Sequence, residues 1–242
     1  MLANQRVCAK CGYNLVGDPP PRCPFCGASS KHFLPMPEVV ARYRVERTPV
    51  GPGVTQLLST PPLGLEHSAY LVELPHKRVL VDCPSSFDPS FGPVDDVYFT
   101  HHHFLGASNL YREEFGANIH LHAADAATSL SRPFPVDDQF EGDFADGSLE
   151  AWHLDGHTRG FTFYSFGPFL FVCDYAFVSG DGLRYNPYGP ADRTAAGGRE
   201  LARRVERRTA QSSYSHVLGH AGVAAFGWWW PRFQKLAGID NV

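Results

Sequence analysis

Four short polar motifs, each at the end of an apolar run that is typical of a strand, constrain this 242-residue chain most strongly. In chain order they are THHH (100–103), GHT (156–158), FVCD (171–174) and VLGH (217–220). Layered folds gather the side chains of a functional site in the loops at their strand ends. We therefore expect these four motifs to contribute to one site.

The segments between the motifs predict a layered α/β domain. From about residue 39, short β-branched or aromatic runs are separated by Pro, Gly and Asp, which indicates consecutive strands. The predicted strands are RYRVERT (42–48), VTQLLST (54–60), SAYLVEL (68–74), KRVLVDC (77–83), DVYFT (96–100), ANIHLH (117–122), LEAWHL (149–154), GFTFYSF (160–166) and FLFVCD (169–174). Helices are predicted in 106–116 and 190–211. Strands mixed with helices over about 200 residues predict a single layered domain, 39–242.

The order of the motifs resembles the metallo-β-lactamase superfamily, which carries HxHxDH, then GHT, then a strand ending in Asp, then a final His. The resemblance runs from about residue 40 to the C-terminus and implies an α/β or α+β fold, the four-layer αβ/βα sandwich. Position by position, it implies a first metal bound by His101, His103, His157 and Asp174. It also implies that Asp174 and His220 take part in catalysis, His220 by contacting a bound ligand or water.

The chain departs from the superfamily at Leu105 and Gly106, which stand where the family has Asp and His. Neither side chain offers a lone pair, so the second metal position keeps only Asp174 and His220. We therefore expect the large domain to bind one metal ion rather than two. The missing Asp usually orients the attacking water, so two-metal hydrolysis is disfavoured. Asp82 matches a family Asp that supports the ligands without binding the metal.

Two CxxC pairs at the N-terminus predict a second metal site. Such turns can direct four thiolates at one ion, and a tetrahedral sulfur site suits zinc or iron. A pair of disulfides is the alternative, which the lack of a secretion signal disfavours. A domain of residues 1–34 has too little apolar material to fold alone, so metal binding would supply most of its folding free energy. Its ligands are Cys8, Cys11, Cys23 and Cys26.

The segment CAKCGYNLVGDPPPRCPFCGASSKHF (8–33) also resembles the rubredoxin-type module of rubrerythrins, with its CxxCGY turn, CPxC turn and Lys-His-Phe tail. This resemblance implies an iron electron-transfer centre. Generic zinc ribbons share the CxxC pairs, so zinc and iron both stay open here, as they do at the His/Asp site. Pro35 and Pro37 indicate a linker between this module and the large domain.

Composition limits the partners. A net charge of −4 and a pI near 6.3 disfavour a nucleic-acid binder, which normally shows a basic face. No segment has the length and hydrophobicity of a membrane span, and we expect a cytoplasmic location. We expect a small-molecule substrate of unknown identity, neither nucleic acid nor membrane, and we leave a redox partner and a homodimer open.

Three functions are compatible with these sites. The first is a mononuclear iron oxidoreductase, because histidines and one carboxylate around an ion with open positions are the ligands of non-haem Fe(II) oxygenases. The superfamily's persulfide dioxygenases bind one iron in this position. The second is a mononuclear zinc hydrolase of a thioester or other ester. The third is a catalytically degenerate binding protein with a structural zinc ribbon. We favour the enzymes, because the complete first-metal set is retained.

Overall fold

The computed structural model describes residues 4–210 and 213–239. The chain divides into two compact units. The first runs up to Leu121 and includes residues 126–140, and the second contains residues 122–125 and the chain from residue 141 onward. The four-cysteine segment belongs to the first unit together with the strands that follow it. Among the described residues, no helix is long and apolar enough to span a membrane.

The four-cysteine segment is built on a small antiparallel sheet of order β2-β1-β3. Its central strand pairs with both neighbours. Helix α1 follows directly, with Pro37 in its first turn, where a missing N–H leaves no hydrogen bond unmade. The elements are β1 (Gln5–Cys8), β2 (Asn14–Val16), β3 (Phe33–Pro35) and α1 (Met36–Arg42).

A seven-stranded mixed sheet of order β10-β9-β8-β7-β6-β5-β4 completes the first unit. Strands β7, β8 and β9 pair in parallel, and β4 to β7 form an antiparallel meander. Leu80, Val97 and Ile119 share one buried cluster with Met36 and Leu110, so helices α1 and α2 cover one face of the sheet. The elements are β4 (Arg44–Gly51), β5 (Val54–Thr60), β6 (Ala69–Leu74), β7 (Lys77–Val81), β8 (Asp96–Tyr98), α2 (Ser108–Phe115), β9 (Asn118–His122) and β10 (Asp138–Phe140).

The second unit contains a six-stranded sheet of order β11-β12-β13-β14-β17-β18 and a hairpin of β15 and β16. Strands β14 and β17 are parallel. Leu201 and Val205 from α4 and Phe233 from α5 share a buried cluster with Leu170 of β14. The elements are α3 (Ala123–Ala126), β11 (Phe144–Asp146), β12 (Leu149–His153), β13 (Thr162–Phe166), β14 (Phe169–Cys173), β15 (Ala176–Ser179), β16 (Gly182–Tyr185), α4 (Ala191–Thr209), β17 (His216–Gly219), β18 (Gly222–Ala225) and α5 (Phe226–Ala237).

The structure confirms every predicted strand and both predicted helices, with shifted ends; residue 211 of the second helix lies outside the described residues. The predicted linker is wrong. Pro35 is the last residue of β3 and Pro37 is the second residue of α1, because proline is compatible with a strand end and with the first turn of a helix. The domain boundaries 1–34 and 39–242 stay a prediction.

Candidate metal centres

Two tight turns present the four cysteines. In the first, the N–H groups of Cys11 and Gly12 donate to the Cys8 carbonyl over 3.2 and 2.8 Å. In the second, the N–H of Gly27 donates to the Cys23 carbonyl over 2.9 Å. Gly12 and Gly27 have φ values of +83° and +70°, which glycine adopts without steric cost. The repeated turn directs both thiols of each CxxC pair to the same side.

The four sulfur atoms have the spacing of a tetrahedral site. All lie within 4.8 Å of one another, and the Sγ atoms of Cys8 and Cys26, like those of Cys11 and Cys23, are 3.7 Å apart. Tetrahedral metal–sulfur bonds of about 2.3 Å place neighbouring sulfurs about 3.8 Å apart. A disulfide needs about 2.0 Å, and these cysteines are free thiols. The cluster fits one zinc or iron ion and is consistent with a zinc-ribbon module.

Burial makes the thiols of Cys8 and Cys11 poor acids without a cation. Burial raises the pKa of Cys8 to about 11, although a backbone hydrogen bond at Lys10 opposes the shift. It raises the pKa of Cys11 further still. At Cys26, burial alone would raise the pKa, but a backbone hydrogen bond at Ala28 and hydrogen bonds with the other cysteines outweigh it and lower the pKa. Thiolates at Cys8 and Cys11 would therefore need a neighbouring positive charge, which a bound divalent cation supplies.

His101 is held by a hydrogen-bonded chain from the neighbouring strand. Asp82, directly after β7, has a φ of +58° and accepts hydrogen bonds from the Thr100 N–H (2.9 Å) and hydroxyl (3.0 Å). The Thr100 Oγ1 lies 3.0 Å from His101 Nδ1. Since the hydroxyl donates to Asp82, its oxygen accepts from Nδ1–H, and the ring lone pair of His101 is then on Nε2, the atom that would bind a metal. This agrees with the supporting role that the resemblance implies for Asp82.

Asp174 follows β14, whose last residue Cys173 has a φ of +46°. Asn186, which is 3% exposed, accepts from the Tyr188 N–H through Oδ1, so its amide nitrogen is turned toward Asp174. That nitrogen donates to Asp174 Oδ2 over 2.8 Å and lies 3.3 Å from His157 Nε2. Asn186 was not predicted from the sequence. It directly follows a short strand, β16, and no motif around it indicates a metal site.

The structure has a His/Asp metal site. Each of its four residues offers one ligand atom, and these atoms all lie within 4.8 Å of one another. His157 Nε2 and Asp174 Oδ2 are 3.7 Å apart. Neighbouring ligands of a tetrahedral ion at about 2.0–2.1 Å are about 3.4 Å apart, which is close to the spacing of this pair. The residues are those that the resemblance implied, His101, His103, His157 and Asp174.

At both positions where the chain departs from the superfamily, Leu105 and Gly106, the surrounding structure leaves no place for a metal-binding side chain. Leu105 is 3% exposed and belongs to the core of the first unit. Gly106 has a φ of +54°, and a Cβ there would lie 2.3 Å from the Cys83 carbonyl oxygen and 2.5 Å from that of Pro84. Its own carbonyl accepts a hydrogen bond from Gln5 over 3.2 Å. A histidine cannot replace Gly106 without moving this loop.

The remaining histidines lie outside the two ligand groups found among the described residues. The N–H of His220, at the end of β17, donates to the Cys173 carbonyl over 2.8 Å, so His220 and Asp174 follow neighbouring parallel strands. Burial lowers the pKa of His220 to about 4, so its imidazole is neutral at pH 7. His120 pairs with Asp96 over 2.7 Å, which is a structural contact.

No family model and no curated protein sequence matches the chain. Solved structures do. A structure of TMB-1 is 17% identical with a TM-score of 0.59, covering 80% of this chain and 97% of that one. A metallo-β-lactamase from Hirschia baltica is 15% identical (TM-score 0.59; 81% and 97%). FIM-1 from Pseudomonas aeruginosa, in its mono-zinc form, is 15% identical (TM-score 0.60; 80% and 95%). The chain therefore has the metallo-β-lactamase fold, preceded by a four-cysteine cluster.

Proposed function

We propose that the chain is a mononuclear metalloenzyme in which the His/Asp centre binds one ion. The four converging ligand atoms carry this proposal. Leu105 and Gly106 support a single ion, because one is buried in the core and the other has no room for a side chain. When bound, such an ion would supply Lewis-acid or redox chemistry at its open positions.

The protein would orient the ligands rather than leave them mobile. Thr100 and Asp82 hold the His101 ring, and Asn186 holds the Asp174 carboxylate. Such supporting hydrogen bonds fix the tautomer and direction of metal ligands. We assign His220 a contact with bound substrate, since its neutral imidazole follows the strand beside that of Asp174 and can donate or accept a hydrogen bond.

We favour an oxidoreductase with iron at the His/Asp centre. The supporting observation is that the turn between Cys23 and Cys26 contacts His103, one of the candidate ligands of the His/Asp centre. Phe25, between Cys23 and Cys26, lies with its ring centroid 5.5 Å from that of His103. A rubredoxin-like ion in the cysteine cluster would therefore be one aromatic side chain away from the His/Asp ligands, as a route for electrons requires.

The second candidate is a zinc hydrolase of a thioester or other ester. It is favoured by the structurally similar FIM-1, whose structure was determined in a mono-zinc form. Histidine and carboxylate ligands with an open position are also those of catalytic zinc, which lowers the pKa of bound water to about 7.

Metal analysis combined with two assays separates these candidates. Protein purified without added metal is examined for iron and zinc and for the red colour of a ferric four-thiolate centre. Oxygen consumption with a persulfide, lost in Asp174→Asn, supports the oxidoreductase. Thioester cleavage by the zinc-loaded chain without oxygen consumption replaces it with the hydrolase. If the loaded chain does neither, the enzyme proposal fails and the binding-protein hypothesis takes its place.

A further inference from the structure

The four-cysteine segment is docked onto the loops after β7 and β8 and onto α2 by buried amide side chains. The Gln5 amide nitrogen donates to the Gly106 carbonyl over 3.2 Å and to Asn14 Oδ1 over 2.8 Å, and Asn109 donates to Gln5 Oε1 over 3.3 Å. Asn14 in turn donates to the Ser85 carbonyl over 3.0 Å. Gln5 and Asn14 are each 1% exposed. Leaving buried amides unpaired is costly, so the segment has one docked position.

This docking brings Phe25 against a ligand of the His/Asp centre. The rings of Phe25 and His103 meet edge to face, with an interplanar angle of 68°. Phe25 also contacts Phe104, the next residue along the same loop, at a centroid distance of 4.9 Å. Edge-to-face ring pairs contribute a favourable free energy in addition to that of the apolar area they bury. The contact therefore restricts the orientation of the His103 ring.

We propose that Phe25 is a positioning residue for His103, and that the ion in the four-cysteine site controls the metal affinity of the His/Asp centre. This rests on the proposed function, in which both sites bind metal. Cys23 and Cys26 flank Phe25, so their ion fixes the turn that carries the ring. Without that ion, the His103 ring loses its contact with Phe25 and keeps those with His101 and His102. Its orientation is then less restricted before the metal arrives, which weakens binding.

The test uses cobalt(II) as the probe on the full chain with zinc in the cysteine site. Cobalt affinity and the visible absorption band of the His/Asp centre are measured for Phe25→Leu, Phe25→Tyr and the wild-type chain. Phe115→Leu is the matched control, because Phe115 is also a half-buried phenylalanine but contacts Phe87 and Tyr111 instead. Thermal unfolding establishes that all variants fold.

We expect Phe25→Leu to weaken cobalt binding by about two- to tenfold and to shift the band, since ring packing is of that strength. Phe25→Tyr keeps the ring and should behave as the wild type, as should Phe115→Leu. An unchanged affinity and band in Phe25→Leu overturn the proposal. So does an equal loss in Phe25→Tyr, because the ring would then not be the cause.

Cys23→Ser tests the control exerted by the cysteine site. It should lose one ion and reduce cobalt affinity at the His/Asp centre at least as much as Phe25→Leu. Loss of that ion with unchanged cobalt binding contradicts the proposal. Asp174→Asn separates the two levels. If it binds cobalt as the wild type does, the proposed function fails; if it loses cobalt while Phe25→Leu does not, only this inference fails.

Discussion

Replacing Gly106 with alanine should destabilise the protein far more than a usual glycine substitution. Its φ of +54° lies in the left-handed region, which costs a non-glycine residue about 1–2 kcal/mol. The new methyl group would lie 2.3 Å from one backbone oxygen and 2.5 Å from another, and relieving such overlap costs a further ~1–3 kcal/mol. Together, the two effects predict a loss of about 2–5 kcal/mol in the free energy of unfolding.

Gly116→Ala is the matched control. Gly116 has a φ of +73°, but nothing lies within 4 Å of the position of its Cβ, so only the conformational cost applies. Urea unfolding followed by circular dichroism should show Gly106→Ala to be less stable than Gly116→Ala by about 1–3 kcal/mol. Equal losses in the two variants would refute the reasoning that the loop excludes a side chain at residue 106. For the same reason, Leu105→Asp combined with Gly106→His should lose stability without gaining an ion.

Three further predictions concern single side chains. Thr100→Val keeps the shape but removes the hydroxyl between Asp82 and His101. It should weaken metal binding at the His/Asp centre by about 10- to 100-fold, measured by competition with a chelator. An unchanged affinity would show that the Thr100 hydroxyl does not hold His101 for the metal. Asn186→Leu should weaken the same binding by a similar factor while the cysteine site keeps its ion, and loss at both sites would indicate general unfolding instead. Burial alone would raise the pKa of Asp96, but hydrogen bonds from His120 and Lys77 outweigh it and lower the pKa to about 2. Asp96→Asn should therefore lose about 2 kcal/mol of unfolding free energy at pH 7, a difference that shrinks as the pH falls from about 4 toward 2; a pH-independent difference would contradict this.

The strands and the metal residues could be predicted from the sequence because each is marked locally. An apolar run followed by THHH or FVCD indicates both a buried strand and a polar side chain at its end, and the structure brings these side chains together. The paired CxxC motifs likewise predict the four-cysteine cluster from sequence alone.

What the sequence could not reveal depends on contacts between distant segments. Asn186 is adjacent to Asp174 only because the β15–β16 hairpin returns the chain there. In the sequence, nothing distinguishes Phe25 from any other residue within a CxxC motif. Its contact with His103 depends on the packing of the four-cysteine segment against the loop that carries His103. Gly106 could be recognised as a missing ligand, but the carbonyl oxygens that exclude a side chain there come from residues 83 and 84.

The most direct test of the account is the number of metal ions per chain. The wild-type protein, loaded with excess zinc and passed over a desalting column, should hold two ions. Cys23→Ser should retain the His/Asp ion under saturating zinc but lose the other, and Asp174→Asn should lose the His/Asp ion and keep the cysteine-bound one. Three tightly held ions in the wild type, or two in Asp174→Asn, would contradict a single metal at the His/Asp centre.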